Sequence, residues 1–421
     1  MQTPLAPDVG AALAAAALAA ALACAAADAR PAAVPAAFLA AAACLACLAA
    51  RRPPARRPLL EQLDSVVLAR EYGGHNSGDG VAASPCILRS RAGPIIVTSD
   101  RVVEPVTDVH VSEDDGKTWR HASAVDGAYW CTLFEHRGRM YLFGTTGEYG
   151  DVVVVGSRDR GESWPDRTVV TSGGGWHRAP TPVVRHGGRL WAALERIDDG
   201  RNWAAGFSAA HASAPEDADL MDRGSWAVSE PLPFPNTLCR ALWGLGGQGF
   251  LEGNIVVGPG RRLYNILRVN RFRGGTAAVL EVPEDGGPCR PAGFIDFPGG
   301  ATKFTVRRDP SAPHGYLSVV NTLDGNALRT PLPNPLDLAL NVRRNLSLSC
   351  SDDMLRWRAL PPFIQTDRRE GVMYADWDVD GDDIIMALRC AAAVGGAVPG
   401  NPKASNVIGF KRLRGYRRLL R

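Results

Sequence analysis

Beyond residue 65 the hydrophobic positions come in short runs, and each run follows a turn signal. Gly93-Pro94-Ile95-Ile96-Val97-Thr98 follows Arg91-Ala92. Arg139-Met140-Tyr141-Leu142-Phe143 follows His136-Arg137-Gly138, and Arg189-Leu190-Trp191-Ala192-Ala193-Leu194 follows His186-Gly187-Gly188. Runs of this length between Gly-bearing turns predict short strands joined as antiparallel meanders. No helical periodicity of useful length interrupts them, which argues against βαβ units. A longer repeat lies over this cadence. Ser112-Glu113-Asp114-Asp115-Gly116-Lys117-Thr118-Trp119 and Ser157-Arg158-Asp159-Arg160-Gly161-Glu162-Ser163-Trp164 share the pattern S-x-D-x-G-x-[ST]-W, with tryptophans 45 positions apart. A fixed period near this length marks a propeller or a solenoid. Asp and Gly supply a tight turn, since the carboxylate bonds nearby backbone and Gly tolerates positive φ. The Trp then packs beneath the hairpin.

Two fainter copies extend the series. Asp222-Arg223-Gly224-Ser225-Trp226 keeps the turn and the Trp; Cys350-Ser351-Asp352-Asp353-Met354-Leu355-Arg356-Trp357 has Met where the Gly belongs. From about residue 65 to the end there is length for six blades of roughly four strands each. The predicted fold class is all-β, a six-bladed β-propeller occupying residues 59–421, its last blade closed by a strand from near Leu68.

Residues 1–58 differ in kind. Gly10 to Ala27 is almost all Ala and Leu; a second apolar run, Ala32 to Ala50, ends at Arg51-Arg52-Pro53-Pro54-Ala55-Arg56-Arg57-Pro58. Each run is near the length of a membrane span. This Ala-rich leader reads as a secretory signal or membrane anchor, with attachment through residues 10–50. An organellar transit segment or a low-complexity leader is the alternative. The first reading places the protein in the secretory pathway, extracellular or membrane-anchored. The Arg/Pro stretch reads as a linker.

Composition narrows the partners. Among 421 residues the formal net charge is +3, too small a bias to suggest nucleic acid. Gly (45) and Pro (31) are plentiful, as many turns require. Cys24, Cys44 and Cys47 lie in the leader; Cys86, Cys131, Cys239, Cys289, Cys350 and Cys390 are scattered without metal-ligand spacing. They read as small buried side chains, and no cofactor or metal is expected.

The repeated turns resemble the Asp-boxes of the sialidase superfamily, and the likeness to exo-sialidases covers most of residues 75–390. It implies a set of site residues. In that family an R-I-P segment precedes the acid/base Asp; here Ala83-Ser84-Pro85 precedes Asp100, fifteen positions after Pro85. The family's fourth blade carries a Glu that polarises the nucleophile and, sixteen positions on, an Arg of a three-Arg carboxylate clamp; Glu252 and Arg268 keep that spacing. The third clamp Arg falls on Arg343 or Arg344, with Arg344 the better match. The nucleophilic Tyr of the last blade corresponds to Tyr374. The chemistry asks for such a set. Sialidases are the glycosidases that use a Tyr nucleophile. A phenol needs a carboxylate base to attack, and the leaving oxygen needs an acid. Arg holds a carboxylate with its planar fork. The departure is Ala83, where the family has its first clamp Arg; Arg178 is the candidate replacement.

Further polar residues fall near predicted inner strand ends: His75, Asn76, Glu148, Tyr149, His177 and Lys303. Of these His177 and Glu148, with Arg178, are expected to touch substrate. Trp176, Trp243 and Trp377 are candidates for sugar stacking or for core. Asn345-Leu346-Ser347 is a glycosylation sequon that reads as unused, because a strand beside a site is a poor acceptor. The expected activity is hydrolysis of an acidic or atypical glycan, with poor activity on common sialosides because of Ala83. The alternatives are a non-catalytic carbohydrate-binding propeller, and a polysaccharide lyase in which Tyr374 and His177 would abstract a proton.

Overall fold

In the computed structural model the described residues are 56–70, 82–102, 104–197, 206–238, 249–269, 275–309, 311, 315–322, 343–367, 369–397 and 401–420. The leader up to residue 55, His75, Asn76, Cys239 and Trp243 lie outside them. Residues 57–421 form one compact unit. It holds six antiparallel sheets, four of four strands and two of five. Each sheet is one blade, and the blades follow one another along the chain as expected. Their first, innermost strands are Ala83–Arg89, Tyr129–His136, Trp176–His177 (resumed at Val184–His186), Phe250–Val257, Thr305–Arg308 and Gly371–Asp380. The sixth blade is completed by Ser65–Ala69, which pairs antiparallel with Val407–Leu413 and so joins the two ends of the repeat region. The α-helix among the described residues is a single turn, Leu59–Gln62.

Burial explains why middle strands are nearly continuous in apolar residues. Val152–Ser157 and Ile95–Asp100 are buried at every position, because each blade is covered on both faces by its neighbours. Outer strands such as Arg120–Asp126 and Arg290–Asp296 are largely exposed and polar. The core therefore lies between blades. Trp377 is fully buried among Leu317, Leu346, Leu348 and Leu388, between blades five and six. Phe143, Val154, Leu194 and Ala210 fill the space between blades two and three. Burying each such side chain contributes on the order of 1.5–3 kcal/mol.

The repeated turns join the third and fourth strands of blades one and two. Asp114 accepts hydrogen bonds from the backbone N–H of Lys117 and Thr118 and from the Thr118 hydroxyl, while Ser112 Oγ accepts from Gly116 N–H. Asp159, Ser163, Ser157 and Gly161 repeat the arrangement. Each Trp reaches the preceding blade: Trp119 Nε1 donates to Ser65 Oγ of blade six, and Trp164 Nε1 to Ser123 Oγ of blade one. Gly116 is required twice over, by φ +85° and because a Cβ there would come within 2.4 Å of the Phe410 ring. In the fifth blade Met354 adopts φ +66° where the pattern has Gly.

Described cysteines 86, 131, 289 and 390 are buried, as expected, whereas Cys350 is only partly so; all five are free. Asn345 of the sequon is buried, its side chain donating to the Thr322 carbonyl. Trp176 and Trp377 are core residues rather than stacking platforms.

Candidate active site

Four of the six innermost strands carry the same irregularity near their start. The register slips between Ala83 and Cys86, Tyr129 and Thr132, Leu251 and Asn254, and Met373 and Asp376. Within each slip one non-Gly residue takes a left-handed backbone: Ser84 (φ +46°), Trp130 (+50°), Glu252 (+53°) and Tyr374 (+54°). Bulges of this kind re-aim a side chain at a small strain cost, and they gather at functional sites. Here they set a Ser, a Trp, a Glu and a Tyr near the starts of the inner strands of blades one, two, four and six.

Tyr374 is held from three blades. The Ala375 carbonyl accepts from Lys303 Nζ (3.2 Å) and Thr305 Oγ1 (3.1 Å) of blade five. Asp376 accepts from Ile87 N–H of blade one (2.9 Å) and pairs with Arg307 (3.4 Å). Lys303, expected near an inner strand end, is enclosed and bonds this backbone. Arg268 Nη1 donates to both oxygens of Glu252 (3.1 and 3.0 Å) and to the Tyr374 hydroxyl (3.3 Å). Glu252 and Tyr374 thus meet through a shared guanidinium nitrogen rather than directly. Burial and the Glu252 carboxylate push the Tyr374 phenol above its ordinary pKa, against three nearby arginines, Arg268, Arg343 and Arg389. Burial works against charge on Arg268, but Glu252 and Tyr374 hold its pKa above the usual value.

Of the two competing arginines, Arg343 stands among Tyr374, Arg268, Arg389 and Glu252. Arg344 is buried, and its carbonyl accepts from Thr366 N–H. Burial and the neighbouring cations lower the Arg343 pKa to about 10, and its Nε has no partner among the described residues.

Asp100 lies on the second strand of blade one, paired in register with Ala83 and within electrostatic reach of Arg389. Trp130 N–H donates to Oδ2 (3.1 Å) and Thr107 Oγ1 to Oδ1 (3.0 Å), and the Ser84 hydroxyl also bonds the carboxyl. Burial outweighs these bonds and raises the Asp100 pKa to about 8. The group is a neutral acid at pH 7.

Arg178 is not in this constellation. It is fully buried, bonded to the Phe143 carbonyl and Thr132 Oγ1, and lies over the Phe143 ring. It stitches blades two and three, so it cannot make up for Ala83. Glu148 is exposed and bonds Tyr149. The residue that stands near Ala83 is Arg389, which the sequence reading missed. It lies 5.1 Å from the centre of the Tyr374 ring. Its Nε donates to Ser405 Oγ (2.9 Å), and that hydroxyl bonds the carbonyl of Ala82. Arg389 comes from the second strand of blade six, outside the inner strand ends. A single Arg in the run Ile384-Ile385-Met386-Ala387-Leu388-Arg389-Cys390 is the signal that could have found it, since a charge in a buried strand needs a partner. His177 is buried against Glu195, a second residue the sequence reading missed.

A cavity of about 810 Å³ is bordered by Val257, Arg261, Arg307, Arg308 and Asp378, at the other ends of the inner strands. None of the converged residues lines it. The chemistry, not the volume, marks the site.

No protein-family model and no curated protein matches the chain. Solved structures share its fold. The GH93 α-L-arabinofuranosidase of Fusarium graminearum, solved with arabinobiose, aligns with a TM-score of 0.54 at 13% identity, over 86% of this chain and all of its own. Trypanosoma rangeli sialidase in complex with sialic acid gives 0.53 at 14%, over 84% of this chain and 59% of its own. The α-L-arabinanase of Penicillium chrysogenum gives 0.53 at 13%, over 83% and 97%. The chain is a six-bladed β-propeller of the architecture these glycosidases share.

Proposed function

We propose that this propeller is a retaining glycoside hydrolase acting on an acidic sugar, with Tyr374 as nucleophile. The supporting observation is the Arg268 guanidinium shared by Glu252 and Tyr374, with Arg343 and Arg389 beside it and a protonated Asp100 within electrostatic reach of Arg389. Three guanidiniums against the Glu252 carboxylate leave the pocket cationic, so its ligand carries a negative charge. Arg389 reaches the clamp position that Ala83 leaves empty, from a different blade. The resemblance to exo-sialidases and the glycosidase names among the fold's neighbours point the same way.

The steps follow from the groups present. The substrate carboxylate engages Arg268, Arg343 and Arg389, and drawing Arg268 toward itself frees a Glu252 oxygen. The Tyr374 oxygen attacks the anomeric carbon while Glu252 takes the phenol proton. Asp100 gives its proton to the departing glycosidic oxygen. In the second half Asp100, now a carboxylate, takes a proton from water; the water oxygen bonds the anomeric carbon, and Tyr374 leaves and regains its proton from Glu252. The raised Tyr374 pKa makes the Glu252 base necessary; the raised Asp100 pKa keeps the acid loaded up to about pH 8.

The test is a panel of aryl glycosides of acidic and neutral sugars, with product anomers read by proton NMR. Turnover restricted to acidic glycosides with retention at the anomeric carbon supports the reading. Turnover of neutral glycosides alone, or inversion, contradicts it. Binding of acidic sugars with no turnover favours the non-catalytic propeller.

A further inference from the structure

Around Trp130 the side chains are largely aromatic, His177 and Tyr149 among them, with the exposed Glu148 bonded to Tyr149. Trp130 stays partly exposed, as do the outer-turn residues Trp119, Trp164 and Trp357, whereas Trp176, Trp191, Trp226 and Trp377 are buried. It occupies the same bulge position as Glu252 and Tyr374, and its backbone N–H bonds Asp100. The Trp130 backbone therefore stands beside the proposed acid, and its ring meets Tyr129, Tyr149 and His177.

Against Trp130 packs His177, with ring centres 4.5 Å apart and planes at 64°. The other face of the imidazole stacks on Phe207 at 4.6 Å and 19°. Its Nδ1–H donates to Glu195 Oε2 (2.8 Å). The second oxygen of Glu195, fully buried, accepts Gly253 N–H (2.8 Å), next to Glu252. Three contacts lock the ring, and the Glu195 bond fixes the tautomer. His177 is 6% exposed, and its Nε2 has no partner among the described residues. In this tautomer Nε2 is an acceptor. Tyr149 continues the aromatic wall, 6.0 Å from Trp130. Arg178, next in sequence, turns its charge away into the core.

We infer that blades two and three build a subsite for an uncharged leaving-group sugar, with Trp130 as the stacking face and His177 Nε2 accepting a hydrogen bond from a sugar hydroxyl. Glu195 is a positioning residue acting through His177. An amphipathic sugar ring suits such a wall: its C–H face meets an indole and its rim hydroxyls need an acceptor. The cleft then has two ends, cationic for the acid-bearing sugar and aromatic for the neutral one. The inference rests on the glycosidase reading for the direction of the substrate.

The test uses the full chain and two substrates with the same acidic sugar, one a methyl glycoside and the other linked to a neutral hexose. In the wild type kcat/KM for the disaccharide exceeds that for the methyl glycoside. In Trp130→Ala and in His177→Phe the ratio falls about tenfold; Trp130→Phe, which keeps a ring, retains most of it. An unchanged ratio in variants with wild-type melting temperatures overturns the subsite while leaving the function standing. If neither substrate is turned over, the function fails, and the same pair is compared by calorimetry. The neutral hexose should then add affinity in the wild type and not in Trp130→Ala; no added affinity in the wild type overturns the subsite.

Discussion

The turns on the outside of the propeller and the bulges around its centre both hold non-Gly residues at positive φ. Asp115 and Arg160 do so in the outer turns, at +63° each, and Glu252 and Tyr374 in the inner bulges, at +53° and +54°. The chemistry around them differs. In the outer turns the carboxylate of Asp114 is exposed and is satisfied within four residues by Thr118 and Lys117. At the centre, Glu252 and Asp100 are buried and Tyr374 is half-buried, and their partners come from other strands and other blades. Local satisfaction builds a fold; distributed satisfaction holds charges ready in a pocket. The two regions should therefore respond to substitution in different observables.

The largest effect is expected at the centre. Tyr374→Phe keeps the ring under Arg389 and removes the proposed nucleophilic oxygen; kcat should fall by roughly three orders of magnitude or more with the fold intact by circular dichroism. Asp100→Asn should lower kcat by about 10²–10⁴ and abolish the alkaline limb of the rate profile near pH 8. The same group gives a stability signature. Its folded pKa, about 8, is above the ordinary 3.8. Its contribution to stability is thus fully present below pH 4 and is lost as the pH rises to about 8. Denaturant titrations should show Asp100→Asn losing less stability than wild type across that window. Arg389→Met should cost roughly 1.5–3 kcal/mol of recognition, about ten- to a hundredfold in kcat/KM, for acidic and not for neutral aryl glycosides. The smallest change in rate belongs to the outer turns. Gly116→Ala should lower stability by about 2–5 kcal/mol, from the positive φ together with the displaced Phe410 ring, measured by denaturant melts, and leave KM and kcat alone. A KM change in Gly116→Ala, or a large stability loss without a rate change in Tyr374→Phe, would erase the distinction.

This contrast also explains what was legible in the sequence. The outer turns are local, so S-x-D-x-G-x-[ST]-W shows itself in eight residues, and strand count and ring closure near Leu68 follow from the period. The spacings from Pro85 to Asp100 and from Glu252 to Arg268 were readable because each lies within one hairpin. Arg389, Trp130 and Glu195 were not, because their roles arise between blades. Arg178 looked like a clamp residue beside His177, yet it turns to the Phe143 carbonyl; alternation along a strand sends neighbours to opposite sides. The one-residue ambiguity between Arg343 and Arg344 has the same origin, since only packing between blades brings Arg343 near Tyr374. The bulges themselves leave only a faint trace, a small residue or Pro after the left-handed one: Pro85, Cys131, Gly253 and Ala375.

The central claim is that Tyr374, and not a carboxylate, forms the bond to the sugar. The direct measurement is intact-protein and peptide mass spectrometry after reaction with an activated fluorinated acidic sugar, which slows breakdown of a glycosyl-enzyme. The account predicts one added sugar per chain, mapped to Tyr374 and absent in Tyr374→Phe. An adduct mapped to Glu252 or Asp100 would contradict it.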